Sequence, residues 1–225
     1  KKWWYHIMAK FIRTNNIANA WLMSVKKIMQ EGHEVVDERG SLTRELQNVM
    51  IEITDPDDNT IPECSPWKDD RLETYKQELL DASNDQGFVY TYGNRLRQYF
   101  NIDQLDTCIE KLNNCRQSRR AIAITIDPIQ DNSVDEIPCL QEIAFLIRND
   151  ELYMTDFFRS NDCGGATFPN LFGIREVGYY VAKNTDTKLV NMVHHAMSLH
   201  IYEHDWDKCN EILRNAEILS QYKIT

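Results

Sequence analysis

Apolar residues recur at helical spacing in "NIANAWLMSVKKIMQEG", where Ile17, Trp21, Val25 and Ile28 share one face and Gly32 stands as the stop signal. The next stretch, "HEVVDERGSLTRELQNVMIEITDP", reads as two strands around a turn at Glu38-Arg39-Gly40, the second ending at Pro56. Residues 55–68 hold three prolines and several acids, which predicts a surface loop. Two helices follow in the pattern, "WKDDRLETYKQELLDAS" and "IDQLDTCIEKLNNC", the latter with Ile102, Leu105, Ile109 and Leu112 in register.

After Ser118-Arg119-Arg120 the period changes. "AIAITIDP", "CLQEIAFLIRN" and "ELYMTDFFRS" are rich in Ile, Phe and Tyr and predict strands, the last two joined by a turn at Asn149-Asp150. A helix from Leu171 to about Ala182, a strand "AMSLHIYEH" and a closing helix "DWDKCNEILRNAEIL" complete the pattern. Helices and mostly hairpin-linked strands in this order predict an α+β fold, one mixed or antiparallel sheet covered by helices. With no repeat and no linker, the expectation is a single domain over residues 9–225. Met8 reads as a natural start, so residues 1–8 are set aside as an extension.

Composition narrows the function. The 225 residues are 42% hydrophobic, enough for a full core, and carry a net charge of −10. Without a basic run, nucleic acid and anionic membrane surfaces are poor partners, although a few arginines in a cleft can still hold a small anion. No apolar stretch approaches the length of a membrane span, and no secretory signal is evident. Six cysteines without a CxxC pair read as thiols of a reducing, cytoplasmic compartment.

Several polar residues interrupt the apolar pattern. Arg39 sits at a turn, Arg119 and Arg120 open a strand, and Arg159-Ser160-Asn161-Asp162 close another. "CGGATFPN" follows, ending in Asn170, and His200 and Tyr202 alternate on one strand face. Each has a plain structural reading: arginines snorkel from strand ends, Asn170 caps a helix, and His200 is a core histidine. Cys139, just before an apolar run, is a small buried hydrophobe on the same terms. The functional reading joins them. Guanidinium groups match phosphate oxygens, the Asn170 amide suits a uracil O4/N3–H edge, and a thiol among arginines gains thiolate character. His194, His195, His200 and His204 invite a metal, but His200 and His204 fall in predicted strand, where a helical i,i+4 ligand pair cannot form, so none is expected.

The ordered pieces "DERG" (37–40), "YGNRLR" (92–97), "SRR" (118–120), "PC" (138–139), "RSND" (159–162), "FPN" (168–170) and "HIY" (200–202) are similar to those of the thymidylate synthases and related pyrimidine-nucleotide hydroxymethylases. The resemblance covers roughly residues 17–210. It implies Cys139 as the nucleophile that adds to C6 of the uracil ring of dUMP. It implies Arg39, Arg159 and Ser160 at the 5′-phosphate, with Arg119 and Arg120 donated by the partner of a sheet-mediated two-fold homodimer. Asn170 would read the base, and His200 with Tyr202 would bind the ribose. Asp162 would meet the pterin ring, Tyr92 would serve removal of the C5 proton, and the catalytic glutamate would be Glu73, or else Glu78. The implied product is dTMP, with 5,10-methylenetetrahydrofolate or an analogue such as methylene-tetrahydromethanopterin as carbon donor.

The chain departs from the family pattern in places. Leu140 follows the nucleophile where most members have histidine, and no tryptophan stands where the pterin packs in folate enzymes. The closing "LSQYKIT" lacks the usual tail. In these respects the chain resembles the short archaeal branch of the synthases, while "RSND" and "SLHIY" are similar to phage hydroxymethylases. Two alternatives follow: a dUMP, dCMP or CMP hydroxymethylase that adds water, and a nucleotide-binding dimer without catalysis.

Overall fold

The computed structural model describes residues 9–84 and 88–222, so the expectation for residues 1–8 lies outside the described residues. Eight strands form one mixed sheet: β1 (Lys10–Thr14), β2 (His33–Val36), β3 (Leu42–Ile53), β4 (Ala121–Ile124), β5 (Leu140–Arg148), β6 (Glu151–Phe158), β7 (Asn161–Asp162) and β8 (Lys188–Tyr202). The helices are α1 (Ile17–Glu31), α2 (Asp69–Glu78), α3 (Tyr92–Arg97), α4 (Gln104–Asn114), α5 (Thr167–Asn184) and α6 (Trp206–Tyr222). The sheet runs β1-β3-β8-β6-β5-β4, with β2 on β3 and β7 on β8. Strand β8 is central, antiparallel to β3 and parallel to β6. A parallel neighbour needs a crossover, and α5 supplies it between β6 and β8.

Alternation along each strand sorts its residues onto two faces. One face is the core. A row across the sheet runs Ile12, Ile51, His194, Asp156, Ile143, Ala123, every member at most 4% exposed. Helix α1 covers this face with Ile17, Trp21, Val25 and Ile28, and α5 is buried on nearly every side, as expected of a helix at the centre of a core. The adjacent row, one residue along each strand, is Phe11, Met50, His195, Phe157, Glu142 and Ile124, and it faces outward. Met197 (55% exposed), Ile122 and Leu146 extend that open, largely apolar face.

The α+β architecture is as the pattern predicts. The Asn149-Asp150 turn holds both residues at positive φ, 52° and 61°, as a tight hairpin requires. Several details differ. Strand β1 and helix α3 are too short to show a period. Strand β8 starts at Lys188 rather than Ala196, and His204 falls in a short 3-10 turn, Glu203–Asp205, rather than in strand. Ile102 lies outside α4, because Asp103 caps that helix by accepting from the backbone N–H groups of Leu105 and Asp106. Helix α5 begins four residues earlier than predicted, so Asn170 sits inside its first turn, not at its cap.

Candidate active site

Cys139 stands at the entry to β5, partly exposed, on a loop fixed from three sides. Arg159, just beyond the end of neighbouring β6, reaches under this loop: Nε donates to the Pro138 carbonyl at 3.1 Å and Nη2 to that of Ile137 at 2.7 Å. The Arg159 backbone N–H donates to the Cys139 carbonyl at 2.9 Å. Upstream, the loop is held by Arg95 of α3, whose guanidinium meets both oxygens of Asp131, at 2.7 and 3.1 Å. Arg95 is 4% exposed and Asp131 2%, so the fork is sealed from water. From the third side, the Leu140 backbone N–H donates to the Tyr92 hydroxyl at 3.3 Å. Gly93 makes that approach possible, because a Cβ there would collide with the carbonyl oxygens of Glu78 and Asp81 at the end of α2.

A cavity of about 430 Å³ is walled by Tyr75, Glu78, Phe88, Tyr90, Tyr92 and Glu136 among others, and three of these, Tyr90, Tyr92 and Glu136, neighbour the Cys139 loop. Burial pushes the Cys139 thiol above its ordinary range. Arg159, Arg39 and a hydrogen bond with Tyr90 pull it the other way, and Glu136 pushes it further up. The expected gain in thiolate character is therefore not what this arrangement yields, because desolvation outweighs the guanidinium charge. Glu136 also ties up Arg39 in an ion pair at 2.8 Å, both side chains 57% exposed. A dianion arriving there would compete with one carboxylate for one guanidinium.

The remaining predicted residues gather around this centre. Asp162 and His200 face each other across the β7–β8 pair. Burial raises the Asp162 carboxyl while His200 opposes, and burial lowers His200 while Asp162 opposes. Backbone N–H groups of Gly164 and Gly165 donate to the Asp162 carboxylate. The His200 ring lies 5.1 Å from the Tyr202 ring, edge to face. Tyr202 in turn feels both Arg39 and Cys139, so the two strands deliver their side chains to one place. Asn170 reaches the same region through Tyr75, whose hydroxyl donates to Asn170 Oδ1. Ser160 is half-buried just beyond Arg159.

Three predicted residues are not brought together with these. Glu73 points to solvent, 61% exposed and paired with Lys76 at 2.6 Å, while Glu78, five residues on and so on another side of the helix, lies in the cavity wall. Of the two, Glu78 borders the cavity and Glu73 does not. Arg119 and Arg120 lie exposed before β4, at the far edge of the sheet.

Tyr75, Tyr90, Glu136 and Trp67 are absent from the sequence expectations, and Asn161 stands there within the Arg159–Asp162 run without a role of its own. The Trp67 indole donates to the Gly165 carbonyl at 3.1 Å and packs against Tyr75 at 5.6 Å between centroids, which places an aromatic wall beside the Asp162 turn. The Tyr-rich run "FVYTY" was a legible signal of such a wall. Among the described residues no cluster of three or more His, Cys, Asp or Glu side chains is placed to hold a metal, and no helix is long and apolar enough to cross a membrane.

A mixed sheet that is covered by helices on one face and gathers a cysteine, arginines and a buried amide near an aromatic-walled cavity defines an α+β protein with a candidate ligand site. The thymidylate synthase family model matches residues 40–225. A protein named "Putative thymidylate synthase" from Methanothermobacter marburgensis is 39% identical over 223 residues, spanning 92% of this chain and 100% of that one. Its namesake from Methanothermobacter thermautotrophicus is 40% identical over 222 residues, with the same coverage. The one from Methanocaldococcus jannaschii is 40% identical over 206 residues, covering 87% of this chain and 92% of its own. The chain belongs to the thymidylate synthase family, which makes it a member of a class of enzymes that transfer one-carbon units.

Proposed function

We propose that this protein methylates dUMP at C5 to give dTMP, through a covalent bond between Cys139 Sγ and C6 of the base. The observation that supports this most directly is the seating of Cys139: its loop is tied to Arg159, its thiol touches Tyr90, and Arg39 and Tyr202 lie within electrostatic reach. Arg159, Arg39 and Ser160 are suited to the 5′-phosphate, joined by Arg119 and Arg120 of a partner subunit. The open apolar face carrying Met50, Phe157, Met197 and Ile122 supports a two-fold homodimer through the sheet, with the exposed Arg119 and Arg120 free to cross it. His200 and Tyr202 are suited to the sugar. Six free thiols support a cytoplasmic setting.

The chemistry needs a thiolate, a dock for charge on O4, and a place for the C5 proton. Addition of the Cys139 sulfur at C6 makes C5 a carbon nucleophile and sends charge to O4, where the Asn170 amide N–H can stabilise it. Tyr92, hydrogen-bonded to Tyr90 and held protonated by burial, keeps a hydroxyl beside the reacting ring to orient the base that takes the C5 proton. Glu78, in the cavity wall, is the carboxylate assigned to that task. The cavity walls are suited to a reduced pterin, since Tyr75, Tyr90 and Phe88 offer flat apolar surface, and Asp162, outside the lining but on the turn that Trp67 joins to Tyr75, offers a carboxylate for ring N–H groups. When bound, 5,10-methylenetetrahydrofolate or methylene-tetrahydromethanopterin supplies the carbon unit and, in a synthase, the hydride.

Incubation with 5-fluoro-dUMP and a methylene-pterin should give a ternary mass adduct mapped to Cys139. Absence of an adduct with every reduced pterin, despite tight dUMP binding, would leave only a binding dimer. Analysis of the product from dUMP separates methyl from hydroxymethyl transfer. Asn170→Asp should shift preference from dUMP towards dCMP, because a protonated carboxyl can match the cytosine edge, and a competition assay reads this directly.

A further inference from the structure

His194 and Asp156 occupy adjacent positions in the core row of the sheet, between Ile51 and Ile143. Both are essentially inaccessible, at 0% and 1% exposure. His194 Nδ1 lies 2.6 Å from Asp156 Oδ1, and Asp156 Oδ2 has no hydrogen-bond partner among the described residues. A buried charge so sparsely partnered is a poor stabilising device, since aliphatic residues would fill the row at lower cost. The pair must be explained by what it points at.

It points at Asn170. A carboxylate accepts only, so His194 Nδ1 carries the proton facing it and Nε2 is left as an acceptor. The Asn161 amide nitrogen lies 3.1 Å from Nε2 and donates to it. That turns Asn161 Oδ1 towards Asn170 Nδ2, which donates at 3.3 Å. The Tyr75 hydroxyl, kept protonated by burial, donates to Asn170 Oδ1 at the far end. Every donor in the chain points the same way, and the direction originates at Asp156.

An amide has two orientations that differ only by exchange of O and N. In the one set here, Asn170 keeps an N–H and an oxygen lone pair for a ligand, the complement of uracil O4 and N3–H. Turned over, the same side chain would complement the amino group and N3 of cytosine. We propose that the buried Asp156–His194–Asn161 relay sets the base specificity of the site by fixing the direction of the Asn170 amide. Asp156, His194 and Asn161 are positioning residues, and the relay rests on Asn170 being the residue that reads the base.

The test compares dUMP and dCMP binding by calorimetry in wild type, Asp156→Asn, His194→Leu and His194→Gln. Asparagine at 156 can donate or accept and so releases the direction, while leucine at 194 removes the link. Both should lower the dUMP preference by about tenfold or more, since a reversed amide sets donor against donor. Glutamine at 194 can donate to Asp156 and accept from Asn161, so it should restore the preference. Histidine ¹⁵N chemical shifts of the unsubstituted protein should show His194 protonated at Nδ1 and not at Nε2, a result that does not depend on the variants folding. Undiminished dUMP preference in Asp156→Asn or His194→Leu, or a His194 proton on Nε2, would overturn the relay while leaving Asn170 as base reader. Failure of the unsubstituted protein to prefer dUMP would overturn the base-reading role itself, and the relay's function with it.

Discussion

Replacing Asp131 by alanine should unfold the loop that leads to Cys139. The carboxylate takes two charge-assisted hydrogen bonds from Arg95 and a third, at 2.7 Å, from the Asp127 backbone N–H. Alanine removes all three. It leaves a guanidinium 4% exposed, with the Thr125 carbonyl at 3.3 Å, the faces of Tyr99 at 3.9 Å and Tyr90 at 5.9 Å, and the more distant Asp127 carboxylate for company. Breaking one side of a buried pair costs about 3–5 kcal/mol, most of it the orphaned charge. At this chain length each kcal/mol moves the melting temperature by about 2–4 °C, so a drop of roughly 6–20 °C is expected. Removing both charges together, Arg95→Met with Asp131→Leu, should recover part of the loss, because no uncompensated ion remains. Denaturant titration gives the free energies, and the rate of adduct formation on Cys139 reports the loop. A loss below about 1 kcal/mol in the single variant, or a double variant no better than the single, would show that the fork is not sealed from water.

Two further outcomes follow from the site and the sheet. Alkylation of Cys139 by iodoacetamide should rise about tenfold per pH unit from pH 7 to 9, because the thiol is raised above its ordinary value and only the thiolate reacts. Glu136→Gln removes a negative charge and should move that profile to lower pH, and a plateau near neutrality in the unsubstituted protein would contradict the dominance of burial. Met197→Asp places a charge on the open sheet face, and sedimentation should show a shift from twice the 26.5 kDa chain mass to the chain mass itself. A monomer in both proteins would refute the sheet as the dimer surface.

The long periodic elements were legible because burial of one face dictates their letters, as in α1 with Ile17, Trp21, Val25 and Ile28. Helix α3 was not: at six residues it is shorter than two turns, and Arg95 is buried in it only because Asp131 arrives from elsewhere in the chain. The outline of the site was visible in ordered motifs, since Cys139, Arg159 and Asn170 are each followed or preceded by residues that shape their turns. Its supporting shell was not. Tyr75 and Tyr90 enter from irregular or weakly patterned segments, and Glu73 and Glu78 cannot be told apart without knowing which side of α2 meets the cavity. The Asp156–His194 pair left a trace that periodicity alone could have flagged. In "ELYMTDFF" the inward letters are Leu152, Met154, Asp156 and Phe158, so one acid sits where an aliphatic residue belongs.

Alternation along β6 and β8 has a sharper meaning in this light. Asp156 and Phe157 are neighbours in the chain, as are His194 and His195, yet one of each pair faces the helices and the other the open side. Two messages are thus interleaved letter by letter in the same strands, one addressed to the ligand and one to the outer surface. A single residue inserted in either strand would swap that strand's pair, burying Phe157 and exporting the acid in one, or burying His195 and exporting its neighbour His194 in the other. These strands can therefore change by substitution but hardly by insertion or deletion, and any drift in their length must be taken up at the ends, where β8 begins at Lys188 and the Asn149-Asp150 turn admits change.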